Sequence, residues 1–176
     1  MTAGTAAADG ARREHRIGSG DGRGADPARG VTTLDPQALA AACARAMWND
    51  DSASQRLGMA LDHIAPGAAT LSMDVTEAMT NGHGTCHGGY IFTLADSAFA
   101  FACNSYNQRA VAQHCSVTFI APVERGDRLT AAAREVSRRG RGGIYDVRVT
   151  NQRGEQVAEF RGHARTVKGA HLPEPA

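Results

Sequence analysis

Asp96 is the single carboxylate in a run that is otherwise largely apolar, IFTLADSAFAFAC from Ile91 to Cys103. Desolvating a carboxylate is costly unless it is paired or used, and aspartate is a poor residue for a helix interior. Two readings follow. Asp96 is a general base or nucleophile facing a pocket, or it is a structural group satisfied by Thr93, Ser97 or backbone donors. Just upstream, NGHGTCHGG runs from Asn81 to Gly89 straight into the apolar segment. Gly88 and Gly89 fall in the first turn of the helix that this segment predicts, where N–H groups are unpaired and the dipole is positive. Glycine lets a ligand approach such a terminus closely, and a carbonyl that becomes an oxyanion is the kind of group it stabilises. The plainer alternative is that the two glycines only permit a tight turn.

Other reactive side chains give weaker signals. Cysteines stand at 43, 86, 103 and 115, without CxxC spacing, which argues against a disulfide scaffold or zinc ribbon and suits a reducing cytoplasm. His83, Cys86 and His87 lack a fourth metal ligand at a familiar spacing, so neither metal nor cofactor is expected. No G-x-S-x-G elbow marks a serine hydrolase. Arg138-Arg139-Gly140-Arg141 forms a basic turn, read either as a solvated hairpin tip or as a phosphate contact suited to forked guanidinium donors.

The elements that must position these groups are readable from periodicity. Asp35 is a good N-cap and Pro36 a good first helical residue, predicting a helix to about Trp48. Leu57–Ile64 and Ala69–Val75 read as two strands around Ala65-Pro66-Gly67, the second alternating with Leu71, Met73 and Val75 on one face. The helix within Thr85–Tyr106 is apolar on almost every side and is expected to be buried nearly all round. Four alternating runs follow, over 111–121, 128–138, 143–150 and 155–167, and read as a meander. An antiparallel sheet wrapped around a long central helix is the predicted α+β layout.

The chain has 176 residues with 42% hydrophobic content, enough for one domain with one core. Its domain is expected over 34–168, with a short C-terminal tail over 169–176. Residues 1–33 are expected to be a disordered N-terminal tail, since Ala, Gly, Arg and Asp there cannot bury enough surface to offset chain entropy. A formal net charge of +1 argues against nucleic acid as a partner. No run reaches the roughly 18 apolar residues of a membrane span, and no secretory h-region opens the sequence. A cytoplasmic protein without membrane association is expected. Eighteen arginines against one lysine, Lys168, read as a coding bias.

The block NGHGTCHGGYIFTLADSAFAFACNS (81–105) resembles the signature of the hotdog-fold acyl-CoA thioesterases of phenylacetate degradation, within the 4-hydroxybenzoyl-CoA thioesterase superfamily. SVTFIAPVERGDRLTA (116–131) and GIYDVRVTNQRGEQVAEFRG (143–162) are similar in register too, so the resemblance spans roughly Asp35 to Val167. It implies a hotdog fold and hydrolysis of aryl- or arylacetyl-CoA without a cofactor. It also implies Asp96 as the catalytic carboxylate, Gly88 N–H as oxyanion donor, Asn81 positioning water or the carboxylate, and His87 shaping the loop. Gly89, Arg139 and Arg141 are implied on the coenzyme A side. Tyr90 and Ile91 depart from the Gln and Leu often found after the two glycines, which leaves the acyl pocket's shape open. Asn81 also reads as a turn residue bonded to its own backbone, and His87 as a loop histidine bonded to backbone.

Helix geometry adds an expectation about assembly. Gly88 and Asp96 are eight positions apart, about 12 Å along a helix at ~1.5 Å per residue. Both must meet one carbonyl within about 3 Å, so one straight helix does not supply both. Two antiparallel copies across a two-fold axis do. A homodimer is expected at least, and the resemblance implies doubling to a homotetramer. Two other classes use the same fold: an enoyl-thioester hydratase or dehydratase, which needs a helix-facing histidine, and a non-catalytic acyl-CoA-binding protein.

Overall fold

The computed structural model describes residues 34–173, so the tail expected at 1–33 lies outside the described residues. Helix α1 runs Pro36–Asp50, with the Asp35 carboxylate accepting from the Gln37 and Ala38 N–H groups at its start. Asp51 then closes α1 and opens a second, five-residue helix, α2 (Ser52–Arg56), by accepting from the Ser54 N–H at 3.0 Å. The strand expected from Leu57 therefore begins later. Leu57 caps α2 and Gly58 turns the chain at φ +69°, and β1 covers only Ala60–Ala65. The apolar alternation after Leu57 does not reveal the capping aspartate, and it is the cap that sets the boundary.

Strand β2 (Ala68–Asp74) leads through a 3-10 turn at Glu77–Met79 to the long helix α3 (Gly88–Cys103). Strands β3 (Ala110–Phe119), β4 (Arg128–Arg139), β5 (Gly142–Thr150) and β6 (Gln156–Thr166) complete one antiparallel six-stranded sheet. Its order is β1-β2-β4-β5-β6-β3. The expected meander is thus corrected: β3 crosses to the far side and pairs only with β6, while β4 pairs with β2 and β5. Alternation within each run carries no information on which neighbour the run takes.

The sheet curls around α3. Leu94, Ala95, Ala98, Phe99, Phe101 and Ala102 on the helix are buried, and so are Leu71, Leu129, Tyr145, Val147, Val149 and Phe160 on the strands. Large side chains of this kind each contribute about 1.5–3 kcal/mol when fully buried. Sheet and helix come close at Gly162, where a Cβ would stand 2.7 Å from the Phe99 ring. The helix is not buried all round, however. Gly89, Thr93, Asp96, Ser97 and Ala100 form a stripe at helical spacing that this chain leaves partly or fully open.

Two further features concern β3. Its pairing with β6 shifts between Ala112 and His114, leaving Gln113 as the extra residue of a bulge, and beyond it Cys115 pairs with Gly162. Among the described residues its second edge has no strand partner, over ten residues that contain no proline. Of the residues expected as a short C-terminal tail, Gly169, His171 and Leu172 are hydrogen-bonded to the segment after α3. Asn107 Oδ1 accepts from the His171 and Leu172 N–H groups, the Gly169 carbonyl accepts from the Arg109 N–H, and His171 Nε2 meets Asn104 Oδ1 at 2.7 Å. The sequence between Gly169 and Leu172 is too short and polar to announce that docking.

Candidate active site

The start of α3 is built by the loop before it. Asn81 Oδ1 accepts from the His83 N–H at 2.8 Å, its Nδ2 donates to Thr85 Oγ1, and its backbone N–H reaches the Thr85 carbonyl. The Asn81 amide thus closes its own turn, as short polar side chains do. His87 is the N-cap of α3, and its Nδ1 accepts from the Gly89 N–H at 2.9 Å. The His87 carbonyl takes the Tyr90 N–H. No acceptor among the described residues takes the Gly88 N–H. One donor is therefore left at the positive end of the longest helix. Of the two glycines, Gly88 rather than Gly89 keeps a free N–H.

A groove of about 420 Å³ opens beside that donor, lined by Gly88, Ile91, Phe119, Ile120 and Val123 among others. Its size suits a small organic group, and its walls are mainly apolar. Phe119 lies directly on the glycine: a Cβ at Gly88 would stand 2.8 Å from its ring. A larger groove of about 600 Å³ lies between α1 and β1 around Trp48, Leu61 and Ile64. Its polar side chains, Arg45 and Asn49, include neither base nor nucleophile.

Asp96 sits two turns further along α3, partly buried. The hydroxyls that would satisfy it in a structural role are engaged elsewhere: Thr93 donates to the Gly89 carbonyl at 2.8 Å, and Ser97 shares a 2.9 Å bond with Ser54 of α2. Its one side-chain hydrogen-bonding partner among the described residues is the Cys115 thiol, with Sγ 3.9 Å from Oδ1. Burial holds the Asp96 carboxyl above its ordinary pKa, while the thiol's hydrogen bond pulls the other way. A carboxylate with raised basicity and open space is suited to base or nucleophile chemistry.

The basic turn divides into two kinds of arginine. Arg141 is occupied, its Nε and Nη2 donating to the Thr166 carbonyl at 3.2 and 2.9 Å. Arg138 lies over the Tyr106 ring at 3.8 Å. Arg139 has no hydrogen-bonding partner among the described residues and flanks a shallow depression with Gln113, Ser137 and His163. This turn stands at the Ala110 end of β3, whereas Gly88 stands at the Phe119 end. Within one chain the arginines are therefore not brought to Gly88. Cys115, Phe119 and Ser54 are site neighbours that sequence reasoning missed. Alternation in β3 places Cys115 and Phe119 on one face, which is the signal that was available. Among the described residues no cluster of three metal-ligating side chains occurs, and no helix is long and apolar enough to cross a membrane.

An antiparallel six-stranded sheet rolled around one long helix is the hotdog fold. Residues 83–158 match the Thioesterase superfamily. Over 126 residues the chain is 42% identical to the acyl-coenzyme A thioesterase PaaI of Escherichia coli, spanning 72% of this chain and 90% of that protein. The structure of the E. coli PaaI protein from the phenylacetic acid degradation operon is similar with a TM-score of 0.76 and 40% identity, over 77% of this chain and 99% of that one. A Streptococcus mutans protein bound to acetyl CoA gives a TM-score of 0.62 at 27% identity, over 64% of this chain and 90% of that one. The chain belongs to the Thioesterase superfamily and is a thioester hydrolase.

Proposed function

We propose that the chain hydrolyses aryl- or arylacetyl-coenzyme A thioesters, of the phenylacetyl-CoA or hydroxylated phenylacetyl-CoA class, to the free acid and coenzyme A in the cytoplasm. The observation that carries this reading is the state of Asp96. It is a carboxylate of raised basicity on the open stripe of α3, and the neighbouring hydroxyls that would make it structural are bound elsewhere. Asp96 either takes a proton from water as the oxygen attacks the carbonyl carbon, or attacks that carbon itself to form a mixed anhydride that water then cleaves. In both routes the C–S bond breaks and coenzyme A leaves as the thiol. The Gly88 N–H receives the developing oxyanion, with His87 holding the helix start in place and Asn81 fixing the loop. No imidazole contacts Asp96 among the described residues, which disfavours a hydratase.

The site is shared between two subunits. Gly88 and Asp96 stand about 12 Å apart along α3, so one carbonyl meets both only when an antiparallel partner supplies one of them. The unpaired edge of β3, with Val111, Phe119 and Ile120 each about half exposed (50%, 51% and 53%), and the open stripe of α3 support that arrangement. A long, proline-free, apolar edge is otherwise an aggregation hazard. A homodimer, doubled to a homotetramer, covers both surfaces. Coenzyme A phosphates approach Arg139, whose guanidinium is uncommitted, and Gly89 lines the thioester's path. The apolar groove beside Gly88 takes the acyl group. An acyl-CoA panel read by thiol release tests the assignment. Arylacetyl or aryl thioesters are expected to give the highest kcat/KM, with turnover falling roughly two to four orders of magnitude in Asp96→Asn. Preference for long aliphatic chains would overturn the substrate class, and near-normal turnover in the Asn variant would overturn the site.

A further inference from the structure

We infer that Cys115 is a positioning residue for Asp96: its S–H, 3.9 Å from Oδ1, fixes the carboxyl's rotation and leaves Oδ2 as the reacting oxygen. The inference rests on Asp96 being the reacting carboxylate.

Three observations carry it. First, Oδ1 is occupied and Oδ2 has no partner among the described residues, yet no buried side-chain oxygen there goes unsatisfied, so Oδ2 opens to solvent. Second, Thr93 and Ser97, the nearest hydroxyls in sequence, are turned to the Gly89 carbonyl and to Ser54. A strong hydroxyl donor is thereby kept off the carboxylate. Third, beyond the Gln113 bulge Cys115 stands opposite Gly162, which faces the Phe99 ring of α3, so the thiol lies on the helix side of the sheet.

A thiol suits this task for physical reasons. Sulfur is large enough to touch an oxygen at 3.9 Å, a gap that an O–H···O bond of 2.5–3.0 Å does not span. It is also a weak donor, so it orients the carboxylate while removing little of its basicity. The thiol stays protonated as donor because burial, and then the charge of Asp96, push its pKa up to about 11. Cys103, higher still at about 12, also feels the Asp96 charge. From α1, α2 and strands β1, β2, β4, β5 and β6, no charged side chain among the described residues acts on the Asp96 carboxyl.

The S–H stretching band of the full-length enzyme, isolated by subtracting the spectrum of Cys115→Val, tests the inference alongside the pH profile of kcat/KM. The band is expected to lie at lower frequency when Asp96 is ionised, and to shift with the same midpoint as the acid limb. Cys115→Val, which keeps the site dry but removes the donor, is expected to move that limb upward by roughly 0.5–1 pH unit. Should the valine variant not fold, Cys115→Ala serves for the band subtraction. An S–H band that does not titrate, beside an acid limb that does, overturns the role of Cys115 and leaves Asp96 in place. Unchanged turnover in Asp96→Asn would instead remove the reading on which the inference rests.

Discussion

His87 and Gly89 are joined by a 2.9 Å hydrogen bond from the Gly89 N–H to the imidazole Nδ1. That bond takes up one of the two donors offered by the glycine pair and leaves the other, at Gly88, free. The N-cap therefore decides which backbone amide is available to a ligand. His87→Ala removes the cap and is expected to cost about 1 kcal/mol of stability, with turnover falling as the first turn of α3 frays. His87→Ser restores a capping oxygen and is expected to recover most of the stability. Urea midpoints for the three proteins check this, and equal midpoints would mean that the cap is not holding the helix start.

Gly88 and Phe119 make a second testable pair. A Cβ at Gly88 would stand 2.8 Å from the aromatic ring, an overpacking of the kind that costs about 1–3 kcal/mol. Gly88→Ala is expected to lose that much, and the loss is expected to shrink in a Phe119→Ala background. A double-mutant cycle in denaturant measures the coupling. Additive losses would show that the two residues do not touch.

Asp96 also makes stability depend on pH. Its folded-state pKa is raised by burial, so between the unfolded and folded values the folded chain binds the proton more tightly. Stability then falls as pH rises through that window and remains lower above it. Asparagine has no proton to lose. Asp96→Asn is expected to melt above the parent protein at neutral pH, with the difference closing below the ordinary aspartate pKa of about 3.9. Melting curves across that range decide it, and a less stable Asn variant at neutral pH would point to an ion pair instead.

Sharing of the site between subunits predicts complementation. Asp96→Asn subunits mixed with subunits inactivated at the oxyanion loop are expected to regain part of the activity, because some hybrid sites then carry both intact groups. Co-expression with two tags isolates the hybrids. Verified hybrids without recovery would mean that each chain completes its site alone.

The arginines of the basic turn are expected to separate by kinetic parameter. Arg139→Ala should raise KM several-fold with kcat nearly unchanged, the pattern of a lost uniform binding contact. Arg141→Ala should chiefly lower stability, since its guanidinium holds the Thr166 carbonyl. Matching kinetics for the two variants would contradict the division.

How much of this was legible in the sequence differs by residue. The α3 helix, its glycine start and Asp96 were visible because a carboxylate inside an apolar run is costly and therefore conspicuous. Asp35 announced α1 through its cap. Asp51 caps α2 in the same way, but a five-residue helix has too little periodicity to announce itself before the apolar alternation after Leu57, and β1 was begun too early. The crossover of β3 was not readable, because strand partners are chosen by the whole sheet and not by the strand's own pattern. The open stripe of α3 was missed for a related reason: alanine and threonine score as acceptable buried residues whether or not anything covers them. Cys115 shares a face with Phe119 by alternation, but a count begun at the start of β3 goes out of step at Gln113, and nothing in the strand's own pattern says that this face meets Asp96.

That extra residue has a consequence for the register of β3. Strict pairing from Ala112 with Ala164 onward would bring residue 114, not 115, opposite Gly162. The bulge at Gln113 takes up that slip, so His114 pairs with His163 and Cys115 keeps its place opposite Gly162, whereas a one-residue slip would exchange the two faces of the strand. One residue of slack in an edge strand thus insulates the face that meets Asp96 from the register of the strand's first three residues.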